Sequence, residues 1–352
     1  MPSESVWSAA DTTPEAIEQA LRDLLVERHT ENPDATLSRV LNMVVVVDRQ
    51  WSGEIANRLR GVGQYRASRT IVCQVDPGRT TLDATVSITS DDADGERAAQ
   101  AVELVVLDVG PRHLPSLETV LDPLVVTDLL TVAWSPHGHE EASGALRRVA
   151  QVVLIDSVDD PVPADGLAAA AALAERVRVV DLAWLRSAPW RERIAALFDP
   201  PGDLRRELER IGAVTIRHEP ASAAAALLLL GWLAERLGWT PAVLRATPEG
   251  AMSGLARAPE HDVRLTLESS TLDVRGLAGL TITTTGGLEL VLDRGPGGLR
   301  AVRRDPGGED HEWTIMGASR GEGGILGEGI RQALLRDPLY RPALLIAQAL
   351  AA

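Results

Sequence analysis

Two hydrophobic patterns alternate along the first 156 residues. One is a short, almost continuous apolar run, as in Ser38–Asp48 with its four consecutive valines, which predicts a strand covered on both faces. The other is an amphipathic stretch such as Pro14–Arg28, which Thr13 caps and Pro14 begins. The residues before Thr13 are expected to be loose. Strands that alternate with helices predict an N-terminal three-layer α/β domain with a mixed sheet.

The pattern changes in the second half of the chain. Val158–Gly166 has the Pro-, Asp- and Gly-rich composition of a linker, so we place a domain boundary there, with domains of residues 1–162 and 163–352. From His261 onward, short alternating runs are separated by Gly-rich turns, which predicts an antiparallel meander with one polar face. Helices over Gly327–Arg336 and Pro338–Leu350 are expected to cover the other face. The second domain is therefore a predicted α+β domain.

Residues 180–200 stand out because they hold two of the eight Trp and the only Phe. Apolar positions near helical spacing, broken at Ser187–Pro189, predict one turn of helix after Asp181 and then a second helix that Ser187 caps. Large aromatic side chains in an aromatic-poor chain usually lie in the core. We therefore expect the rings of Trp184 and Trp190 to be buried where the two domains join.

The same segment carries arginines whose planar guanidinium groups suit carboxylates or phosphates. We expect Arg side chains here to be exposed and available to another protein. Predicted partner contacts are Trp184, Arg186, Trp190 and Arg191.

Composition excludes several classes of protein. The formal net charge of −15 argues against nucleic-acid binding, which requires neutralisation of phosphates. The single cysteine, Cys73, excludes an intrachain disulfide and a multi-cysteine metal site. The most apolar stretch, Ala221–Ala234, is shorter than the roughly 20 residues of a membrane span and reads as a buried helix. We expect a cytoplasmic protein that binds neither nucleic acid nor a membrane.

Candidate chemistry is sparse. His137–Glu141 offers two imidazoles and two carboxylates, but the spacing matches no metal-binding signature, and a loop with helix-capping residues is favoured. The sequence contains no Gly-x-Ser-x-Gly elbow and no persuasive Cys/His pair. We therefore predict no catalytic residues, no metal and no cofactor.

A Gly-rich stretch, residues 321–327, supplies the alternative hypothesis. It is predicted as a loop between a strand and a helix, where backbone N–H groups can hold a phosphate. It lacks the third glycine of the dinucleotide pattern and the lysine of the P-loop. If it binds an anion, the chain would be a sugar-phosphate-binding enzyme or a metabolite sensor, with Arg320, Gly321, Gly323 and Gly324 at the site.

Several motifs spread over both predicted domains resemble one known family, the glucose-6-phosphate dehydrogenase assembly protein family OpcA. The most specific are the Trp184/Trp190 segment and the Leu229–Trp239 helix. The others are Arg39–Asn42 with the valines that follow, Ser68–Ile71, Val153–Ser157 and Asp337–Tyr340.

The resemblance implies a non-enzymatic cytoplasmic protein that binds glucose-6-phosphate dehydrogenase, promotes its active oligomer and so raises flux through the oxidative pentose phosphate pathway. This chain also departs from the family. Its single cysteine means that the cysteines linked to redox control in cyanobacterial members are absent, which puts thioredoxin regulation in doubt.

Overall fold

The computed structural model describes residues 4–31, 40–62, 69–90, 101–198, 203–295, 297–308, 310–316 and 321–352. The chain divides into two compact units. Unit 1 comprises Met1–Ile155, Val177–Val180 and Glu322–Leu335, and unit 2 comprises Asp156–Arg176, Asp181–Gly321 and Arg336–Ala352. The chain first passes from unit 1 to unit 2 after Ile155, close to the predicted boundary at residue 162. The chain nevertheless returns to unit 1 twice, which a single boundary does not describe.

Unit 1 is built on an eight-stranded mixed sheet, which confirms the predicted α/β class. Its strands are β1 (Glu4–Ala9), β2 (Leu41–Asp48), β3 (Arg69–Val75), β4 (Asp83–Ser90), β5 (Ala101–Val109), β6 (Leu130–Trp134), β7 (Val152–Ile155) and β8 (Arg178–Asp181), in the order β1-β4-β5-β3-β2-β6-β7-β8. The residues before Thr13 are not loose, because β1 pairs with β4 from Glu4↔Thr89 to Ala9↔Ala84.

Helices on the sheet of unit 1 bury its β-branched residues. They are α1 (Pro14–Glu31), α2 (Ser52–Arg60), α3 (Leu117–Leu121), α4 (Glu140–Val149) and α10 (Gly321–Leu334). Seven consecutive residues of β2, Leu41–Val47, are buried, as the continuous apolar run predicts for a central strand. The acidic run Asp91–Glu96, predicted as a solvated loop, lies outside the described residues.

The order of the parallel strands is that of a doubly wound sheet. β3 and β5 follow β2 on one side, and β6 and β7 follow it on the other, all in parallel pairings. The direction of winding therefore reverses between β2 and β6. In such sheets the crevice at the carboxyl ends of the two diverging strands is the usual ligand position.

Unit 2 contains a nine-stranded sheet. Its strands are β9 (Ile211–His218), β10 (Thr240–Pro241), β11 (Arg245–Ala246), β12 (Met252–Arg257), β13 (Asp262–Ser269), β14 (Leu277–Thr284), β15 (Glu289–Gly295), β16 (Gly298–Arg304) and β17 (Asp310–Met316). The order is β10-β12-β13-β9-β14-β15-β16-β17, with β11 beside β12. The predicted antiparallel meander is correct for β14–β17. The sheet as a whole is mixed, because β9 lies between β13 and β14 and runs parallel to β13.

The helices of unit 2 are α5 (Pro163–Ala174), α6 (Leu182–Arg186), α7 (Ala188–Phe198), α8 (Asp203–Glu207), α9 (Ala223–Leu237) and α11 (Tyr340–Ala351). α9 packs against β9 and β13, and α11 packs on α9. A Cβ at Gly231 of α9 would lie 2.2 Å from the carbonyl oxygen of Ala343, so the two helix backbones touch there.

Helix α9 and the short turn before it form an apolar run longer than the sequence suggests. Pro220–Leu237 spans 18 residues and would suffice, by length and composition alone, to cross a membrane. However, 67% of this run is buried inside the protein. The burial confirms the prediction of a core helix.

One of the two helices predicted to cover the meander, that over Gly327–Arg336, groups with unit 1 instead. α10 begins at Gly321 rather than Gly327, and residues Glu322–Leu335 group with unit 1. The sequence pattern gives the helix its apolar face but does not specify which sheet that face covers.

Candidate functional site

The Trp-rich segment forms the two helices α6 and α7 that its broken periodicity predicts, and they follow strand β8, which the pattern does not predict. β8 ends at Asp181, whose side chain accepts a hydrogen bond from Ala183 N at 3.0 Å and so caps α6. The hydroxyl of Ser187, between α6 and α7, donates to the carbonyl of Trp184 at 2.7 Å. The same hydroxyl accepts a hydrogen bond from Arg191 Nε of α7 at 3.1 Å, so Ser187 links the two helices at the break.

Trp184 lies at the centre of this arrangement and is 2% exposed. Its indole N–H donates to Asp337 Oδ2 at 2.7 Å. The guanidinium carbon of Arg191 lies 3.4 Å from its ring centroid, and the ring of Tyr340 is tilted against it at 5.8 Å. Burial lowers the pKa of Arg191 to about 10, and the charge of Asp337 partly opposes that shift. The ring is thus held by a cation–π contact with Arg191, a hydrogen bond to Asp337 and an aromatic contact with Tyr340.

Arg186 is paired inside unit 2. Its two terminal nitrogens donate to the two oxygens of Asp156 at 2.8 and 2.7 Å, and both side chains are almost fully buried. Burial raises the pKa of Asp156, and the charge of Arg186 counteracts the shift. Arg275, which is partly exposed, reaches Asp159 at 2.5 Å and Asp156 at 3.7 Å. The ion cluster therefore meets solvent through Arg275 and Asp159.

Asp181 joins these groups to the last helix. Its Oδ1 accepts from Ser157 N at 3.1 Å and from Ala183 N, and its Oδ2 accepts from the hydroxyl of Tyr340 at 3.0 Å. Burial is the main cause that raises the pKa of Asp181 to about 6, and the negative charge of Asp156 adds to it. Residues far apart in sequence are thereby fixed around one buried carboxyl group.

The structure brings three of the four predicted partner-binding residues together, but inside unit 2. Trp184, Arg186 and Arg191 belong to the network just described, and Trp190 is 2% exposed in the core. The predicted burial of both Trp rings is confirmed. The expectation that the arginines are exposed is wrong for Arg186, because Asp156 neutralises its charge within the unit. A contact of these residues with a partner stays a prediction.

Sequence reasoning did not assign a role to the residues that complete the network. Asp156, Asp337 and Tyr340 are part of motifs noticed only for their resemblance, and Arg275 was not singled out. One signal was available for Asp156, because a carboxylate that directly follows a buried strand needs a partner.

The Gly-rich stretch is helical, so the prediction of a loop at residues 321–327 is wrong. A Cβ at Gly323 would lie 2.9 Å from both Cα and the carbonyl oxygen of Gly61, which follows α2. The glycine therefore allows two backbones of unit 1 to touch. Arg320 lies outside the described residues, and an anion at Gly321, Gly323 or Gly324 remains untested.

The crevice between β2 and β6 is the second place where chemistry could be expected. The turn after β2 runs Asp48-Arg49-Gln50-Trp51-Ser52-Gly53 and lacks the Gly-x-Gly-x-x-Gly pattern that lets a backbone approach a pyrophosphate. Trp51 after β2 stacks on His137 after β6, with ring centroids 5.1 Å apart. The aromatic stack thus bridges the carboxyl ends of the two strands.

The two histidines of the His137–Glu141 stretch make different contacts. His137, which stacks on Trp51, has a left-handed backbone with φ 70°. The Nε2 atom of His139 lies 3.5 Å from Asp48 Oδ1. Within the described part of the chain, no three His, Cys, Asp or Glu side chains form a group that could hold a metal ion.

Comparison with protein families assigns both halves of the chain. Two families described as domains of a glucose-6-phosphate dehydrogenase subunit match: the N-terminal domain over residues 61–172 and the C-terminal domain over residues 177–344. Both are OpcA families, and together they span most of the chain in the expected order. The chain belongs to the OpcA family. The family is named for assembly of a dehydrogenase rather than for a reaction of its own.

Curated relatives carry the same name. The putative OxPP cycle protein OpcA of Synechocystis sp. is 34% identical over 126 residues, which are 35% of this chain and 26% of the relative. That of Synechococcus elongatus is 30% identical over 193 residues, 52% of this chain and 40% of the relative. The matches therefore span well under half of the length of these relatives.

The solved structures that match this chain are distant in sequence. An oxidoreductase from Sinorhizobium meliloti has a TM-score of 0.48 at 12% identity, covering 89% of this chain and 95% of that chain. A Gal80p super-repressor mutant from Saccharomyces cerevisiae has a TM-score of 0.45 at 9% identity, with 82% of each chain covered. Because both TM-scores are below 0.5, we draw nothing about activity from these likenesses.

Proposed function

We propose that this OpcA-family chain is a non-enzymatic, cytoplasmic bacterial protein that binds glucose-6-phosphate dehydrogenase and promotes its active oligomer. It would act as an allosteric activator in the oxidative pentose phosphate pathway. The observation that carries the proposal is the match of both halves of the chain, in order, to families of a dehydrogenase subunit.

The geometry of the candidate sites supports a role without catalysis. Around Trp184, the carboxylates accept hydrogen bonds from N–H and O–H donors of the same unit, and the Tyr340 hydroxyl that donates to Asp181 belongs to a buried side chain. At the crevice of the doubly wound sheet, the Trp51–His137 stack stands where a dinucleotide would lie. The residues that attract attention in the sequence thus make structural contacts.

We also propose that Trp184, Arg186, Trp190 and Arg191 serve the partner by fixing the shape of unit 2. Their side chains are held by residues of the same unit, so any effect on the dehydrogenase would pass through the surface that they support. Arg275 and Asp159 form the solvent-facing end of that network.

The decisive experiment mixes the purified chain with the dehydrogenase of the same organism. Light scattering after gel filtration should show a co-eluting complex with a larger dehydrogenase oligomer, and the dehydrogenase activity should rise when the chain is added. Two independent peaks with unchanged kinetics would contradict the proposal.

The sugar-phosphate hypothesis is tested separately by thermal unfolding of the chain alone with sugar phosphates, nucleotides and divalent ions. A ligand that binds only the native state raises the unfolding midpoint. We expect no shift with any member of the panel. A saturable shift that Gly324→Asp abolishes would favour an anion site at the start of α10.

A further inference from the structure

One face of the sheet in unit 2 is not packed like the other. Side chains on the inner face, such as Val214, Ile216 and Leu280, are at most 1% exposed. The side chains of Thr215, Arg217 and Thr281 point to the opposite face and are half-buried. We call this opposite face the open sheet face and define it by β12 to β17 together with β9.

The ladder register places a row of β-branched side chains across the middle of the open sheet face. Thr266↔Thr215, Thr215↔Thr281, Thr281↔Val291 and Val291↔Val302 are successive partners on β13, β9, β14, β15 and β16. Directly paired residues share a face, so these five side chains form one line. The line offers apolar methyl groups and short hydroxyls without a bulky projection.

Ion pairs flank this line and lie along the sheet. Arg217 reaches Asp293 at 2.8 Å across the intervening Gly279, where a Cβ would come within 2.6 Å of the Asp293 carboxylate. Arg300 holds Glu312 with bonds of 2.6 and 2.8 Å. Arg217 therefore has a carboxylate two strands away and Arg300 has one on the neighbouring strand, and Gly279 keeps the first pair close to the backbone.

The charges of this surface are almost balanced, although the whole chain is strongly acidic. The chain has 35 basic and 50 acidic residues. The face presents five arginines and six carboxylates, and these are Arg217, Arg257, Arg264, Arg300, Arg304, Asp262, Glu268, Glu289, Asp293, Asp310 and Glu312. Two copies of this chain repel each other over most of their surface, but here that repulsion is nearly absent.

We propose that the open sheet face is a self-association surface, occupied by the same face of a second copy of this chain. A twofold contact requires a patch that is complementary to itself, and a neutral surface of paired charges around an apolar line meets that requirement. A second copy of this chain is favoured over another acidic protein because the face has no excess positive charge that would attract an acidic partner.

The available area agrees with a specific dimer whose population depends on concentration. Seven strands spaced by ~4.8 Å, each about six residues long, give a face of roughly 29 by 20 Å. Two copies would then cover roughly 1,100–1,200 Å², just above the roughly 1,000 Å² expected of a specific interface. This proposal goes beyond the proposed function and is tested without the dehydrogenase.

The first test measures the mass of the full chain by sedimentation across a concentration series. We expect a dimer for the wild type and at least a tenfold weaker association for Thr281→Arg, which places an unpaired charge in the middle of the line. Glu260→Gln makes the same change in net charge at an exposed turn and should leave the dimer intact. A wild-type monomer at every concentration would overturn the proposal, as would a dimer that Thr281→Arg does not weaken.

A second measurement covers the case in which Thr281→Arg fails to fold. Cys73 is fully buried and burial raises its pKa to about 12, so a nitroxide label can be directed to Thr281→Cys. In a face-to-face dimer with sheets ~10 Å apart, the two labels should lie within about 20 Å of each other. Labels at Glu260→Cys should be farther apart. The reverse order, or no intermolecular distance at Thr281→Cys, would refute the arrangement.

Discussion

At the scale of single residues, Trp184 contributes to stability in two ways. Its large apolar ring is buried, and its indole N–H donates a hydrogen bond to Asp337. Trp184→Ala should lower the free energy of unfolding by roughly 3–5 kcal/mol, because the cavity would be large and well enclosed. Trp184→Phe keeps most of the ring but removes the donor to Asp337, which should cost roughly 1–3 kcal/mol. Denaturant unfolding of both variants measures the difference. A negligible loss for Trp184→Phe would show that the hydrogen bond contributes nothing.

Arg186 gives the sharpest contrast between a buried and an exposed ion pair. Arg186→Ala leaves the carboxylate of Asp156 in the interior without its main partner and should destabilise the protein by roughly 3–5 kcal/mol. The matched control is Arg257→Ala, whose pair with Asp262 at 3.1 Å is solvent-exposed and is worth at most about 1 kcal/mol. Chemical denaturation compares the two. Similar small losses would mean that Asp156 finds another partner or a proton.

Asp181 should make the stability depend on pH in an unusual direction. Its pKa is about 6 in the folded protein against about 3.9 in an unfolded chain, so the folded state binds the proton more tightly. This contribution to stability is complete below the lower value and is lost as the pH rises through about 6. Asp181→Asn should remove that loss, so the variant should compare more favourably with the wild type at pH 8 than at pH 4. Parallel stability profiles between those pH values would contradict the assignment.

The burial of Trp184 and Trp190 could be predicted from residue type alone, because ring size determines where such side chains are stable. The environment of Arg186 could not. Its partner Asp156 is 30 residues away in sequence, and no periodicity relates the two positions. An arginine that faces solvent and one that faces a buried carboxylate look the same in a sequence.

At the scale of secondary-structure elements, the crossing of α9 and α11 depends on Gly231. A methyl group there would overlap the carbonyl oxygen of Ala343 and force the helices apart. We expect Gly231→Ala to destabilise the protein by roughly 1–3 kcal/mol, as other overpacked sites do. Gly144→Ala in α4 has open space around the new methyl group and should stabilise by up to about 1 kcal/mol. Thermal unfolding that ranks the two variants in the opposite order would contradict this account.

Elements with a strong hydrophobic period were predictable, and those defined by their partners were not. The valines of β2 and the apolar face of α9 need no neighbour to be recognised. β1 and β8 are short, and each depends on hydrogen bonds to a strand distant in sequence. The predicted helix is shorter than α10 because glycines are poor helix formers, whereas in the structure Gly323 lets α10 approach Gly61.

At the scale of the whole molecule, the mixed sheet of unit 1 and the antiparallel strands β14–β17 were predictable, but the strand order of the two sheets was not. β9 lies between β13 and β14, which are more than 40 residues from it in sequence. The hydrophobic pattern within each strand does not predict that pairing. The motifs that resemble the OpcA family were more informative about family membership than the hydrophobic pattern was, because they are distributed over both halves of the chain.

The strand order of unit 1 also allows a prediction about ligands of the whole chain. Doubly wound sheets commonly bind a dinucleotide where the winding reverses. Here the turn after β2 lacks the required glycines, Asp48 places a carboxylate at the strand end, and the Trp51–His137 stack bridges the crevice. We therefore expect no change in the unfolding midpoint with oxidised or reduced nicotinamide dinucleotides, with or without the 2′-phosphate. Ligand at about 100 times its Kd would otherwise stabilise the native state by about 2.7 kcal/mol. A glucose-6-phosphate dehydrogenase, measured with the same nucleotides, is the positive control. A saturable shift for this chain that Trp51→Ala alters would show that the crevice binds a nucleotide after all and would reopen the question of catalysis.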